Sequence, residues 1–248
     1  MTSQEIEFTV AYDDVPIDPL VETSHGFSCL IEGMDKTILF DTGGDGHLLL
    51  DNLRKLNKDP NHIDILVLSH QHWDHSGGLF TVLRSIGPVA VYMTKAFPDS
   101  LASHAERLGA DVTIVDGPIE IIPGIHSTGQ MGGDELARGR REQSLVLDTA
   151  DGTVVLTGCA HPGIVNIVNR ARDLRSGNIA YALGGFHLKD TDDPAVKNVI
   201  GELKALGIKK MGASHCTGTR QIEMFRDVWD MDFIPFGCGA TLRLPLRQ

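Results

Sequence analysis

Six consecutive residues, His70-Gln71-His72-Trp73-Asp74-His75, put three imidazoles and a carboxylate directly after the apolar run Ile63–Leu68. Four ligand-type side chains so close together are costly to desolvate without a partner, and a divalent metal, one ion or two, is the natural one. Imidazole nitrogen with carboxylate oxygen points to zinc first, with manganese, iron or magnesium as alternatives. A helix would splay His70 and His72, and a regular strand would turn His75 away from the other three. An irregular loop, closed by the pair Gly77-Gly78, is therefore expected to gather them. Three further apolar runs also end in a glycine-flanked histidine: Val154-Val-Leu-Thr157 before Gly158-Cys-Ala-His161, residues 179–183 before Gly184-Gly-Phe-His187, and residues 210–213 before Ser214-His215. Loops at the carboxyl ends of strands are where α/β sheets place active sites, because the core holds the strands while the loops reach the substrate. His47, His62, His104 and His126 lack such a setting and read as hydrogen-bonded structural residues.

The signature His70-x-His72-x-Asp74-His75 resembles that of the metallo-β-lactamase superfamily of metallohydrolases. Added to it are His25-Gly-Phe-Ser, Leu39-Phe-Asp-Thr-Gly43, Thr157-Gly-Cys-Ala-His-Pro-Gly-Ile-Val-Asn166, Gly184-Gly-Phe-His-Leu188 and Ser214-His-Cys-Thr-Gly218. Together they look like the subgroup named after an archaeal 7,8-dihydropterin-6-methyl-4-(β-D-ribofuranosyl)-aminobenzene-5'-phosphate synthase, with the likeness running from about Glu22 to Thr241. The resemblance implies a four-layer αββα sandwich. It also implies that His70, His72 and His161 hold one metal while Asp74, His75 and His215 hold the other. The sequence departs from the superfamily pattern at one place. A Gly-Asp after the hairpin often supplies a bridging aspartate, and here that place reads Gly158-Cys-Ala-His161. His161 can therefore fill either of two ligand roles, and the number of ions stays open between one and two. His187 is placed near substrate by the resemblance, to bind a phosphate or carboxylate, act as general acid or orient a loop. Asp41 reads as a carboxylate that fixes a metal-bound histidine rather than as a ligand. His25 and Glu142 are carried to the margin of the site by resemblance alone.

A metal with an open position lowers the pKa of bound water from 15.7 to about 7, giving hydroxide at neutral pH. Asp74 would ligate and orient that water, and His187 would assist catalysis. The reading is a metal-dependent hydrolase acting on a small, anionic phosphoester or acyl substrate. The runner-up is a transferase that condenses a dihydropterin diphosphate with a ribofuranosyl-aminobenzene phosphate. A third is a metal-bound binding module without turnover, against which the intact ligand signature argues.

The elements that must position these residues alternate along the chain. Strand patterns cover residues 6–12, 27–32, 37–40, 63–68, 89–93, 111–115, 120–122, 144–148, 153–156, 179–183, 210–213 and 233–236, with a hairpin at Asp151-Gly152. Helix patterns cover residues 47–56, 79–86, 95–108, 164–174, 195–206 and 221–228. Interleaving of this kind predicts an α/β layered fold, here as a single domain over residues 1–248. A net charge of −11 argues against a nucleic-acid partner, which would call for a basic face. No apolar run is long enough to span a bilayer, and Met1-Thr-Ser-Gln-Glu-Ile-Glu lacks signal-peptide character, so a cytoplasmic enzyme with a small-molecule substrate is expected. Nothing fixes an oligomeric state. Cys29, Cys159, Cys216 and Cys238 form no CxxC framework. Cys159 and Cys216 adjoin motif histidines, and packing under a metal loop is the reading there, with thiolate ligation as the alternative. Residues 131–141, glycine-rich and charged, are expected to border the site as a long loop and close over substrate, with Arg138, Arg140 or Arg141 facing an anionic group. Residues 189–194 are a second covering segment.

Overall fold

The run Ile63–Leu68 is an inner strand, buried along almost its whole length, as a nearly uninterrupted apolar segment requires. A computed structural model of the chain describes residues 5–133, 139–175 and 178–247. It divides into two compact units, Met1–Asp116 with Gly237–Pro245, and Gly117–Phe236 with Leu246–Gln248.

In the first unit, β1 (Glu5–Tyr12), β2 (Ser28–Glu32) and β3 (Thr37–Phe40) pair antiparallel in order. From β3 the sheet continues in parallel through β4 (Ile63–Leu68), β5 (Ala90–Thr94) and β6 (Asp111–Val115). The C-terminal strand Thr241–Pro245 lies outside β1. The helices are α1 (Gly46–Lys55), a four-residue turn α2 (Trp73–Ser76), α3 (Leu79–Ile86) and α4 (Asp99–Arg107). Leu49, Leu50 and Leu53 of α1 and Leu79, Val82 and Leu83 of α3 bury in one core with Leu39, Leu66, Leu68, Val91 and Met93 from the strands. Each such side chain contributes about 1.5–3 kcal/mol when fully buried. Asp45 caps α1 by accepting from the backbone N–H of His47 and Leu48. Asn52, buried in the same helix, donates to the carbonyls of Ala11 and Glu22 and accepts from the Glu22 N–H, tying α1 to β1 and to the chain before β2.

In the second unit, β7 (Ile119–Ile122) and β8 (Ile125–Ser127) lead to a small two-stranded ribbon, β9 (Met131–Gly132) with β10 (Arg141–Glu142). The main sheet has the order β14-β13-β12-β11-β8-β7. Its strands β11 (Leu145–Thr149) and β12 (Gly152–Thr157) form the expected hairpin, and β13 (Ile179–Gly185) and β14 (Lys210–Ser214) continue it in parallel. The helices α5 (Ile164–Leu174), α6 (Asp193–Ala205) and α7 (Thr219–Trp229) bury Ile167 and Val168, Val196 and Leu203, and Phe225 and Trp229 respectively.

Three expectations shift. The helix expected over 95–108 begins only at Asp99, because Phe97 precedes a proline and is steered away from helical backbone. Residues 233–236 form no strand, making a single bridge from Phe233 to Met211. The short strand β8 and the terminal strand Thr241–Pro245 carry too little pattern to have been read from sequence. Among the described residues no helix is long and apolar enough to cross a membrane.

Candidate functional site

In the first unit the chemistry begins where two neighbouring parallel strands end. Asp41 follows β3 in left-handed backbone (φ 62°) and is fully buried. Its Oδ1 accepts from the Ser69 N–H at 2.7 Å, and its Oδ2 accepts from Ser69 Oγ at 2.7 Å and faces His75 Nδ1 at 2.7 Å. Ser69 Oγ has one proton and gives it to Asp41, so it accepts from His70 Nδ1, 2.9 Å away. That fixes the tautomer of His70 and leaves its Nε2 with a lone pair, 3.0 Å from His72 Nδ1. Asp41 thus orients His75 directly and His70 through Ser69, as a carboxylate behind metal-binding imidazoles does.

His72 precedes α2, and Asp74 and His75 ride on that turn. Gathering the four side chains therefore takes an irregular stretch at residues 69–72 followed by one helical turn, rather than an irregular loop throughout. Gly77 and Gly78 have ordinary helical backbone (φ −64° and −73°), so they do not supply the turn that was expected of them. They are small for contact: a Cβ at Gly78 would lie 2.2 Å from the Thr42 carbonyl oxygen, and one at Gly77 would lie 2.5 Å from that of Trp73. Asp74 Oδ2 lies 3.4 Å from both His75 Nε2 and His25 Nε2. His25, half exposed, also approaches Asp14 Oδ2 at 3.6 Å.

Burial pushes the Asp41 carboxyl up against the pull of His75 and Ser69. Burial likewise opposes charging His75, but Asp41 and Asp74 outweigh it and lift that imidazole to about 10. A carboxylate facing three donors stays ionised, so in the metal-free chain the proton sits on His75. A divalent cation would take the place of that Nε2 proton. The donor set, imidazole nitrogens with their far sides tied down and one carboxylate, fits such an ion.

In the second unit, Glu142 of β10 organises the loop after β12. Its Oε1 accepts from the N–H groups of Cys159 and Ala160, and its Oε2 from the His161 N–H and Nδ1, all at 2.9 Å. Ala160 is held in left-handed backbone (φ 59°), and the bond from Nδ1 to Glu142 points His161 Nε2 away from that carboxylate. His187 follows β13 (φ 51°) and His215 follows β14 (φ 49°). The His161 and His187 rings lie 4.4 Å apart, and His215 Nε2 is 3.5 Å from Cys159 Sγ. Gly185 permits this crowding: a Cβ there would meet the Gly158 carbonyl oxygen at 2.4 Å and Cys216 Sγ at 2.8 Å.

Each unit therefore assembles its own share of the expected residues: His70, His72, Asp74, His75, Asp41 and His25 in the first, His161, His187, His215 and Glu142 in the second. Glu142, expected only at the margin, is a buried scaffold residue. Ser69 carries no sequence signal beyond standing next to His70, which alone does not distinguish packing from function, while the buried Cys159 agrees with packing in the loop of His161. Two of the histidines read as structural have ordinary partners. His104 stacks on Phe80 at 4.1 Å and His126 Nε2 lies 2.9 Å from Arg175 Nη1. The expected loop 131–141 is partly the β9–β10 ribbon, with Arg141 opposite Gly132. Arg138 lies outside the described residues.

The metallo-β-lactamase superfamily model matches residues 22–215. The 7,8-dihydropterin-6-methyl-4-(β-D-ribofuranosyl)-aminobenzene-5'-phosphate synthase of Methanocaldococcus jannaschii is 31% identical, over 95% of each chain. A solved metal-dependent hydrolase of the β-lactamase superfamily is 26% identical with a TM-score of 0.79, covering 96% of this chain and 98% of its own. The short form of human tRNase Z shares the fold at 13% identity, with a TM-score of 0.66 over 97% of this chain and all of its own.

Proposed function

The chain belongs to the metallo-β-lactamase superfamily, with the α/β fold of that superfamily, and from that premise we propose that it is a metal-dependent hydrolase of a small anionic phosphoester or acyl compound. The observation that carries the proposal is the pair of buried carboxylates, Asp41 and Glu142, each fixing the Nδ1 side of an imidazole in a loop that follows a strand, His75 and His161 respectively. Such second carboxylates turn the opposite nitrogen into a directed ligand. We assign as metal ligands His70, His72, Asp74 and His75 of the first unit and His161 and His215 of the second, with one or two ions per chain and zinc as first choice. When bound, the metal polarises the electrophile and lowers the pKa of water.

The chain's own residues supply the rest. Asp74 presents one oxygen to both His75 and His25, so His25 can hold a proton at Asp74 Oδ2 and exchange it with solvent. His187, exposed and packed on His161, is proposed to meet the anionic group of the substrate. Thiol cysteines, none in a disulfide, support a reducing, cytoplasmic setting.

One observation favours a second reading. The full-length relative at 31% identity is a synthase, which supports transfer to an aminobenzene nucleophile in place of water. Metal-loaded protein given a dihydropterin diphosphate, with and without a ribofuranosyl-aminobenzene phosphate, tests the choice. A panel of phosphomonoesters, phosphodiesters, lactones and thioesters runs beside it. Turnover in the panel supports hydrolysis. Release of diphosphate only when the aminobenzene is present would replace hydrolysis by transfer.

A further inference from the structure

Cys159 and Cys216 stand on the loops that follow β12 and β14, on either side of β13. Their sulfur atoms lie within 4.8 Å of each other. Cys216 Sγ already rests against the Cys159 backbone, 3.7 Å from its carbonyl oxygen. The strand between them ends at Gly185, which carries no side chain to separate the thiols: a Cβ there would lie 2.8 Å from Cys216 Sγ. The two thiols differ in access. Cys159 is buried, whereas Cys216 is half-buried. A small oxidant therefore reaches Cys216 first, with Cys159 beside it to close a bond. Packing under a metal loop accounts for one thiol and gives no reason for a second so near. The other cysteines offer a contrast. Cys29 and Cys238 lie in the first unit, and burial pushes both thiols up, away from the thiolate that oxidants attack.

We propose that Cys159 and Cys216 form an oxidative modification site for hydroperoxides, which closes into a reversible disulfide. Hydrogen peroxide transfers one oxygen to Cys216 Sγ, giving a sulfenic acid and water. Cys159 Sγ then attacks that sulfur, the S–O bond breaks, and the oxygen leaves as a second water with the Cys159 proton. Both sulfurs are oxidised, the peroxide is reduced, and a dithiol reverses the step by exchange. A disulfide bond of about 2.05 Å brings the sulfurs inside their present spacing, so closing it draws the two loops together. Those loops carry His161 and His215: Cys159 stands two residues before the one and Cys216 directly after the other. The bond also takes up Cys159 Sγ, which in the reduced chain lies 3.5 Å from His215 Nε2. Oxidation thus loosens the hold of this unit on a metal, a consequence that rests on the metal centre proposed above. In a reducing compartment such a pair stays as thiols until an oxidant arrives, as transient intracellular disulfides do.

The test takes the reduced, chelator-treated full-length chain, exposes it to hydrogen peroxide, alkylates it with iodoacetamide and maps it by mass spectrometry without reduction. A cross-linked Cys159–Cys216 peptide is expected, lacking one pair of hydrogens, and dithiothreitol should remove it. Cys29 and Cys238 should stay unlinked. Competition with a chromophoric chelator then reads zinc affinity. It should fall about 10–100-fold on oxidation, as when the support behind a metal ligand is lost, and recover with dithiothreitol. In Cys216→Ala, peroxide should leave zinc affinity where it was. Should that variant fail to fold, the wild-type mapping still decides. Thiols that both stay open to alkylation, a Cys216 driven to sulfinic acid without a cross-link, or a cross-link to another cysteine would overturn the pair. A Cys159–Cys216 bond that leaves zinc affinity unchanged would overturn its effect on the metal. Absence of zinc binding in the reduced chain would overturn the metal centre instead, with the mapping still deciding the disulfide.

Discussion

Asp41 is the residue on which the first group of ligands depends, since it faces three donors at once, the Ser69 N–H, Ser69 Oγ and His75 Nδ1. Asp41→Asn would keep the shape but turn an amide N–H₂ towards one of these donors. It should weaken metal binding about 10–100-fold, the usual cost of losing an outer carboxylate, as read by competition with a chromophoric chelator. An unchanged affinity would remove Asp41 from the account. Glu142 is more exposed to structural loss because it accepts from three consecutive backbone N–H groups as well as from His161. Glu142→Gln should destabilise even the metal-free chain, by about 1–3 kcal/mol for each donor left unsatisfied, measured by urea unfolding. The candidate ligands at His70–His75 were legible because histidine and aspartate at that density have few other uses. Ser69 and Glu142 were not legible in role, because their function lies in hydrogen bonds that sequence spacing does not reveal.

At the scale of elements, four strand ends share one device. Asp41, Ala160, His187 and His215 each adopt positive φ directly or shortly after a strand, where a side chain costs on the order of 1–2 kcal/mol. Strain of this sort clusters where a loop must present a side chain in one direction. The strands before them were readable from apolar runs, whereas the left-handed turn at their ends was not, since none of the four is glycine. The reverse holds at Gly77 and Gly78, where glycine suggested a turn and the structure uses its smallness instead. The edge of the first sheet is clamped by Glu7, which pairs with Lys58 and Arg243. Burial raises the Glu7 pKa, but the hydrogen bonds and charges of Lys58 and Arg243 more than offset it and hold the carboxyl below its ordinary 4.5. A lowered folded pKa means that the stabilisation is present above pH 4.5 and is lost as pH falls through the folded value. Glu7→Gln should therefore unfold more easily near neutrality, by roughly 1–3 kcal/mol, with the difference from wild type vanishing in acid. A difference that persisted in acid would mean that packing, rather than charge, is what Glu7 contributes.

For the molecule as a whole, the alternating strands and helices and the His70–His75 signature pointed to the superfamily that the comparisons then established. They put water first as nucleophile without deciding against an aminobenzene, because the two make the same demands on the candidate metal ligands. Binding an ion to the folded chain alone should also raise its melting temperature. The gain is RT ln(1 + [metal]/Kd), about 2.7 kcal/mol at a hundredfold excess over Kd, and a chelator should reverse it. The central claim is the metal centre, and its most direct test is elemental analysis of the purified full-length chain after zinc loading and exhaustive dialysis, beside Asp74→Ala. The account predicts about one to two transition-metal ions per wild-type chain. Asp74→Ala should hold less metal and lose turnover while keeping the wild-type far-ultraviolet circular dichroism. A wild-type chain that retains no metal, or an Asp74→Ala chain that retains all of it, would contradict the account.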